Sequence, residues 1–404
     1  MILKEDLKRI VQSQKEAIFH ADRGIQRERL SEISGGSSHA LIIAGIRRCG
    51  KSTLLLQLIR RHKAYHYFNF EDPRAGAFTI ADAEKLEEAF EEAAGKAEHY
   101  FFDEIQSIRE WERLVRFLLD RKKQVILTGS NASLLSRELG TKLTGRHLSY
   151  ELFPFSYGEM LSFTKKKAGI ESFQEYMEQG GFPDFLKSRN PLMLQQLFTD
   201  ILARDIIVRY QIRNSEEVRN LALYLLTNSA RQFSYNGLAK ASGIKSVNSV
   251  LDYVSYFADS YFLFTIPRFS FSLKRQRANP RKNYTIDTGF ARNNSVGFSE
   301  DKGRMLENLV FLQLRRHYKE IFYFQERGEC DFLVKERESI TQAYQACYQL
   351  TEENKEREVN GLIEAMDACS LKKGMILTLN QDDKIKAKGK EIVVRPTWEW
   401  IIEK

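Results

Sequence analysis

The stretch that most constrains this chain is Gly45-Ile46-Arg47-Arg48-Cys49-Gly50-Lys51-Ser52. It follows an apolar, strand-like run over residues 41–44 and leads into a helical pattern that starts at Thr53. A phosphate-binding loop needs glycines where backbone N–H groups approach phosphate oxygens, a lysine that reaches the β and γ phosphates, and a hydroxyl that ligates magnesium. Gly45, Gly50, Lys51 and Ser52 meet those needs. We therefore predict that residues 45–53 bind ATP, and that Ser52 is a Mg²⁺ ligand.

Apolar strand candidates alternate with helical segments around this loop. They cover residues 39–44, 64–70, 99–102 and 124–128, after an N-terminal segment that is helical in pattern to about Ile33. Such alternation is typical of a parallel sheet between layers of helices. The sequence thus predicts an α/β fold with a P-loop NTPase core over residues 1–152.

A second piece of nucleotide chemistry is the acidic pair Asp103-Glu104, which ends the apolar run 99–102. A buried strand would deliver the pair beside the phosphate loop, where Asp103 can hold magnesium through its water shell and Glu104 can polarise the attacking water. An Asp-Glu pair in this position can also be an ordinary helix N-cap. The spacing of about fifty residues after a phosphate loop favours the catalytic role.

The strand candidate 124–128 ends in small polar residues. Ser130 and Asn131 could orient water or contact the γ phosphate, and we predict them as nucleotide contacts. The alternative is that both cap the following helix, predicted over residues 132–139.

Several motifs together carry a family resemblance. They are the phosphate loop, Phe68-Asn69-Phe70-Glu71-Asp72-Pro73-Arg74, Phe102-Asp103-Glu104-Ile105-Gln106, Thr128-Gly129-Ser130-Asn131-Ala132, Leu143-Thr144-Gly145-Arg146 and Phe153-Pro154-Phe155-Ser156. This set resembles the AAA-like ATPases of bacteria and archaea, in which a C-terminal domain of unknown function follows the ATPase core. The resemblance extends over nearly the whole chain, but it implies no substrate.

The resemblance implies a role for one arginine. In AAA-type ATPases an arginine before the last core strand often reaches the γ phosphate bound by a neighbouring subunit, and Arg146 occupies that place, with Arg137 as the second candidate. Such a finger neutralises charge in the transition state and requires an oligomer. The alternative is a solvated surface arginine.

The middle of the chain predicts two helical modules. Residues 153–210, with a break at Gly180-Gly181-Phe182-Pro183, read as a helical lid of the kind that closes over nucleotide. Residues 211–286 predict a winged helix, from two short helices across a turn at Gly243, a third helix and a strand. The start of the third helix, with Lys245, Ser246 and Asn248, would contact DNA.

A basic stripe interleaved with aromatics follows that helix and carries six positive charges and no acid. Such a stripe suits a nucleic-acid backbone. We predict DNA contacts from Arg268, Lys274, Arg275, Arg277, Arg281 and Lys282. The alternatives are a protein-docking module and a solvated basic hairpin.

Residues 287–404 resemble a degenerate restriction-endonuclease fold, an α+β domain that such C-terminal regions often adopt. Glu307 on a helix and Asp331 in a hairpin stand where that fold has acids. Gln345 and Cys347 stand where active nucleases have an acid and a lysine, and an amide and a thiol do not replace a metal ligand and a cation. Trp398 and Trp400 alternate with a glutamate and predict an edge strand that packs.

Composition sets broad limits on these predictions. The chain of 404 residues has 62 Lys+Arg against 54 Asp+Glu, a net charge of +8 that mildly favours polyanionic partners. No long apolar run or signal peptide is evident, so we expect a cytoplasmic protein without a membrane anchor. The leading hypothesis is an oligomeric, Mg²⁺-dependent ATPase that acts on DNA as a motor or remodeller. A nucleotide-dependent signalling switch that binds proteins and an ATP-gated nuclease are the alternatives.

Overall fold

A computed structural model describes residues 2–33, 38–130, 143, 145–295 and 301–403. The chain divides into two compact units, Met1–Phe153 and Pro154–Lys404. In the described residues the first unit has one sheet and the second has two, and each unit has its own buried apolar core. Within the described ranges, no helix combines the length and the apolar character that crossing a bilayer requires.

The described part of the first unit is built on a five-stranded parallel sheet. In chain order its strands are β1 Ala40–Ala44, β2 His66–Asn69, β3 His99–Asp103, β4 Gln124–Gly129 and β5 His147–Glu151. The spatial order is β2-β3-β4-β1-β5, and every neighbouring pair is parallel. This arrangement confirms the predicted α/β class and the parallel sheet. All carboxyl ends of the strands therefore meet at one edge, where ligands bind in open α/β sheets.

Helices flank this sheet in the order the sequence predicts. They are α1 Lys4–His20, α2 Lys51–Ile59, α3 Ala83–Ala94 and α4 Trp111–Asp120. The prediction of a helix reaching Ile33 is wrong, because α1 ends at His20 and Ala21 is already extended at ψ 142°. A left-handed Gly24 at φ 57° then turns the chain before a short 3₁₀ helix, Glu28–Glu32.

The second unit begins with helices that frame the Gly180-Gly181 break. Its first elements are α5 Tyr157–Thr164, α6 Ile170–Gln179, α7 Pro183–Ser188, α8 Pro191–Asp200 and a π-helix, Ile201–Val208. The break lies between α6 and α7 as predicted. A Cβ at Gly181 would lie 2.1 Å from the Phe155 carbonyl oxygen. The Gly181 N–H donates to the buried Asp287 carboxylate at 2.6 Å. Burial raises the pKa of Asp287 to about 6.

A compact group of helices and a small sheet follows. It contains α9 Ser215–Thr227, β6 Gln232–Phe233, α10 Tyr235–Ser242, α11 Val247–Asp259, β7 Leu263–Pro267, α12 Leu273–Ala278 and β8 Arg281–Thr285. The strands pair in the order β6-β8-β7, all antiparallel. Gly243 ends α10 in the left-handed conformation, with φ 72°, which a residue with a side chain rarely adopts. The predicted helices and strand are present, and the name winged helix stays an interpretation of them.

The chain ends in a mixed six-stranded sheet. Its elements are α13 Thr288–Asn294, α14 Lys302–His317, β9 Glu320–Gln325, β10 Glu329–Glu336, β11 Ser339–Ala346, α15 Glu352–Ala368, β12 Lys373–Thr378, β13 Asp383–Ala387, β14 Lys390–Pro396 and α16 Thr397–Glu403. The strand order is β13-β14-β12-β11-β10-β9. Trp398 and Trp400 lie on α16, so the predicted edge strand is wrong. An alternation of four residues is too short to separate the two periods. The prediction that they pack holds for Trp400, which is 2% exposed.

Candidate functional site

The phosphate loop connects the buried strand β1 to helix α2. Arg48 at φ 63° and Gly50 at φ 100° turn the backbone in the left-handed region, and Gly50 is the N-cap of α2. A Cβ at Gly45 would lie 2.1 Å from the Leu152 carbonyl oxygen, so only glycine fits there. The loop thus presents its backbone and the positive end of a helix dipole at the carboxyl edge of the sheet.

The Lys51 side chain is enclosed by the phosphate loop. Its side chain is 3% exposed, and its Nζ donates to the carbonyl oxygens of Gly45 at 3.0 Å and Ile46 at 3.1 Å. The Glu104 Oε1 atom lies 3.7 Å from the same nitrogen. A buried ammonium that is held mainly by neutral carbonyls gains most from an added anion, such as a phosphate group.

Asp103 is the buried acid at the end of β3. The Thr128 hydroxyl on β4 donates to its Oδ1 atom, and the Tyr67 hydroxyl donates to its Oδ2 atom at 3.4 Å. Burial and the neighbouring Glu104 raise the pKa of Asp103, while hydrogen bonds from Thr128 and Ser52 oppose the rise. Ser52 and Asp103 are therefore in contact, and this pairing of a hydroxyl with a carboxylate suits a magnesium ion with its waters.

Glu104 follows in a left-handed conformation, at φ 51° and ψ 49°. Its backbone N–H donates to the Thr128 hydroxyl at 3.1 Å, and its Oε2 atom accepts a hydrogen bond from the Gln106 amide. The same amide donates to the buried Ser130 hydroxyl at 3.3 Å. The carboxylate is thereby fixed next to Lys51, where a water that attacks a bound phosphate would stand.

Three residues of this site were not predicted from the sequence. Thr128 holds both members of the acidic pair, and Gln106 links Glu104 to Ser130. Arg27 is 3% exposed, and its guanidinium donates to the carbonyl oxygens of Cys49 at 2.9 Å and Phe153 at 2.7 Å. The alternation of strands marks β4 as a neighbour of β3, which is a signal for Thr128. No local pattern marks Arg27, because its partners lie far away in sequence.

The other predicted nucleotide contacts differ in whether their side chains are accessible to a ligand. The side chains of Ile46 and Cys49 are fully buried, so these two residues can contribute through the backbone alone. Arg47 is paired with Glu71 at 3.2 Å, and Arg48 is exposed. Thr53 lies in the first turn of α2. Asn131, Arg137 and the helix predicted over 132–139 lie outside the described residues.

Arg146 lies at the amino ends of the parallel strands, whereas the phosphate loop lies at the carboxyl end of β1. It precedes β5, whose first residue, His147, pairs with Ala40 at the start of β1. Its guanidinium donates to Asp120 Oδ1 at 2.8 Å and is 34% exposed. The length of β1 therefore separates Arg146 from the phosphate loop of the same chain.

Some of the predicted DNA contacts are exposed, and others bind partners within the chain. Lys245, Ser246 and Asn248 are exposed at the start of α11, where the Ser246 hydroxyl caps the helix. Lys274, Arg275 and Arg277 are exposed on α12. Arg268 forms an ion pair with Glu326 at 2.7 Å, and the half-buried Arg281 donates to the Thr265 hydroxyl at 3.0 Å.

Lys282 differs from the rest of the basic stripe. Its side chain is 4% exposed, and its Nζ lies 3.1 Å from Glu307 Oε1, 2.5 Å from Glu329 Oε1 and 2.9 Å from Asp331 Oδ1. The prediction that Lys282 contacts DNA is wrong, because carboxylates enclose its ammonium. Lysine is rarely buried unless it is paired, and three carboxylates provide that pairing.

The cluster around Lys282 contains the residues that resembled a nuclease site. Burial alone would lower the pKa of Lys282, but Asp331 and Glu307 raise it well above its ordinary value. Gln345 accepts a hydrogen bond from the Asp331 backbone N–H at 3.1 Å and donates to Glu358 at 2.6 Å. The Cys347 thiol donates to the Gln349 carbonyl at 3.2 Å. The cation that β11 lacks therefore comes from β8, a strand of another sheet.

Comparisons with known proteins match both units. An AAA domain model matches residues 37–161, and the model of a domain of unknown function matches residues 170–301. Uncharacterized protein MJ1544 of Methanocaldococcus jannaschii is 34% identical over 400 residues, covering 89% of this chain and 87% of that protein. An uncharacterized protein of Haemophilus influenzae is 25% identical over 380 residues, covering 88% and 93%.

Among solved structures, AMPPCP-bound DnaA from Aquifex aeolicus aligns with 62% of this chain and 88% of its own, at 16% identity and a TM-score of 0.28.

Proposed function

This chain belongs to the family of AAA-type ATPases that carry a C-terminal domain of unknown function, and we propose that it hydrolyses ATP with magnesium to act on DNA. The observation that carries the enzymatic part is the position of Glu104. Its carboxylate lies 3.7 Å from the Lys51 ammonium and is held by Gln106. A protein that only senses nucleotide needs the aspartate, whereas hydrolysis benefits from the second acid.

The residues of the site divide the work of phosphoryl transfer. Lys51 and the loop N–H groups would hold the β and γ phosphates, and Glu104 would accept a proton from the attacking water. Ser52 and Asp103 would hold the magnesium ion, which neutralises charge on the phosphates when bound. The Thr128 hydroxyl holds the Asp103 carboxylate and the Glu104 backbone, and Gln106 holds the Glu104 carboxylate, so both acids are positioned before a nucleotide binds.

The DNA part of the proposal rests on the exposed cations of the second unit. Lys274, Arg275 and Arg277 stand on α12 without a carboxylate partner among the described residues, and Lys245 is exposed at the start of α11. Each lysine or arginine that neutralises a phosphate releases counterions, so these groups favour a polyanionic partner.

The test of this proposal is ATP turnover with and without DNA. We expect Mg²⁺-dependent hydrolysis that rises about tenfold with single-stranded, duplex or branched DNA, which corresponds to about 1.4 kcal/mol in activation free energy. Charge-reversal of Lys274 and Arg275 to glutamate should abolish the stimulation and leave basal turnover intact. Slow turnover that ignores every DNA would contradict the DNA role and favour a nucleotide-dependent switch with protein partners.

We further propose that Arg146 completes the ATP site of a neighbouring subunit. A finger of this kind stabilises transition-state charge and is worth about 10³-fold or more in rate. Arg146→Ala and Glu104→Gln should each be inactive alone. The Arg146→Ala subunit keeps Glu104, and the Glu104→Gln subunit keeps Arg146. A mixture of the two can therefore form sites that contain both groups and should recover part of the activity. The matched control is Arg121→Ala, which removes an exposed arginine that is stacked on Phe117. If the mixture stays inactive, or Arg146→Ala is fully active, the shared site is excluded.

A further inference from the structure

An exposed aromatic residue stands in the middle of the basic stripe. Phe271 is 84% exposed and Leu273, two residues later, is 72% exposed. Both precede or begin α12, a helix that buries none of its residues. Covering an exposed apolar ring removes its surface from water, which is favourable for binding. Phe271 and Leu273 therefore form a small apolar surface that a partner can cover.

The loop that carries Phe271 is held in place. The Phe269 N–H donates to the Tyr323 carbonyl on β9 at 2.6 Å, and the Phe269 ring packs against Phe322 with ring centroids 5.8 Å apart. Phe271 contacts Phe269 edge-to-face at 5.1 Å. The exposed ring is thus supported by a second ring that is anchored on the C-terminal sheet.

Hydrogen bonds close the loop on the other side of Phe271. The Ser270 hydroxyl accepts from the Ser272 N–H at 3.2 Å, and the Ser270 carbonyl accepts from the Gln276 amide at 2.9 Å. Ser272 in turn is the N-cap of α12. A residue fixed in this way pays little ordering entropy when a partner binds.

The charge around Phe271 defines the partner. Lys274, Arg275 and Arg277 are exposed on α12, and no acidic residue occurs between Phe269 and Lys282. A flat apolar ring next to several cations matches a base next to its phosphates. A lipid surface fits less well, because an interfacial helix has an extended apolar face and α12 has six residues with Leu273 as its one large apolar side chain.

We propose that Phe271 stacks on an unpaired base while the cations of α12 hold the phosphates of the same strand. The inference rests on the proposed action on DNA and names its substrate class: DNA that contains single-stranded segments, such as a fork or a tailed duplex. In a blunt duplex the bases are already stacked on each other, and Phe271 has no free base to contact. Leu273 extends the apolar surface next to the ring.

The experiment is a comparison of DNA affinities by fluorescence anisotropy, using the full chain with AMPPCP. The probes are a single strand of dT, a forked duplex with dT tails and a blunt duplex of equal length. Phe271→Ala should weaken binding to the first two by about tenfold or more and leave blunt-duplex affinity unchanged, since one stacked base contributes about 1–3 kcal/mol. Phe271→Trp should restore the affinity. Leu192→Ala removes another apolar side chain, 65% exposed on α8, and should change none of them.

Each contrary result has a distinct meaning. If the wild type binds DNA and Phe271→Ala binds the single strand and the fork equally well, the stacking role is overturned and the proposed function stands. Equal weakening on all three probes also overturns it, because the ring would then serve the fold or the duplex. If Phe271→Ala binds DNA like the wild type but no longer binds phosphatidylserine vesicles that the wild type binds, Phe271 is assigned to a membrane surface instead. If the wild type binds none of the three probes, the proposed DNA function fails together with this inference.

Discussion

Replacing Glu104 with glutamine should lower steady-state ATP hydrolysis by about 10²- to 10⁴-fold while nucleotide binding persists. The two side chains have the same shape, so the Gln106 contact and the packing beside Lys51 can be kept. The amide has no basic oxygen of comparable strength and cannot take a proton from water. The measurements are phosphate release for turnover and the affinity for a fluorescent ATP analogue.

The matched control is Glu84→Gln, an exposed glutamate on α3 within the same unit. It removes the same charge from the surface and should keep full activity. A Glu104→Gln variant that turns over at the wild-type rate would show that another group activates the water. A variant that loses binding and turnover together would instead give Glu104 a structural role beside Lys51.

Replacing Lys282 with methionine should destabilise the second unit by about 3–5 kcal/mol. Methionine fills similar volume but leaves Glu307 and Asp331 buried without their cation. Because the pKa of Lys282 is raised in the folded chain, its stabilising contribution is fully present below the unfolded pKa of lysine and is lost only as pH rises through the higher folded value. At neutral pH the whole effect should be seen. Urea unfolding followed by tryptophan fluorescence reports it in a Trp111→Phe background, because Trp111 is buried in the first unit and Trp400 in the second.

Lys274→Met is the control for this change, because it removes an exposed lysine from the same stripe and should shift stability by less than about 0.5 kcal/mol. A double variant, Lys282→Met with Asp331→Asn, should recover part of the loss, since it also removes a stranded carboxylate. Equal stability of Lys282→Met and the wild type would contradict the buried cluster. A double variant less stable than Lys282→Met would show that packing, and not the unpaired charge, sets the cost.

Local motifs predicted much of the first unit. Gly45 and Gly50 are required by the backbone of one loop, and Asp103 and Glu104 end a strand whose apolar run is evident from four residues. These features depend on neighbours in sequence, so a short stretch contains the information. The parallel pairing of the strands followed from their alternation with helices, whereas their spatial order was not predicted.

The supports of the site could not be predicted in the same way. Thr128 and Gln106 act through hydrogen bonds to Asp103, Glu104 and Ser130, which exist only after the strands pair. Arg27 contacts Phe153 across more than a hundred residues of chain. Polar side chains of these types are common at strand ends and in loops, and their sequence context alone does not single them out.

Lys282 shows why composition misleads at a particular residue. It ends a basic stripe in which Lys274, Arg275 and Arg277 are exposed, and lysine is rarely buried, so a surface position was the natural prediction. Its partners come from α14 and β10, far along the chain. Through the same tertiary contacts, Lys282 supplies the cation beside Glu307 and Asp331, although β11 has Gln345 and Cys347 and no lysine at these positions.

The placement of Lys282 also bears on how the second unit responds to load. The β8 strand carries the Lys282 ammonium to carboxylates of α14 and β10, so pulling β8 away would separate buried opposite charges. A force that a bound polymer applied to α12 would therefore be transmitted through β8 and its ion pairs to α14 and β10. A fragment cut between residues 286 and 287 would separate Lys282 from Glu307, Glu329 and Asp331.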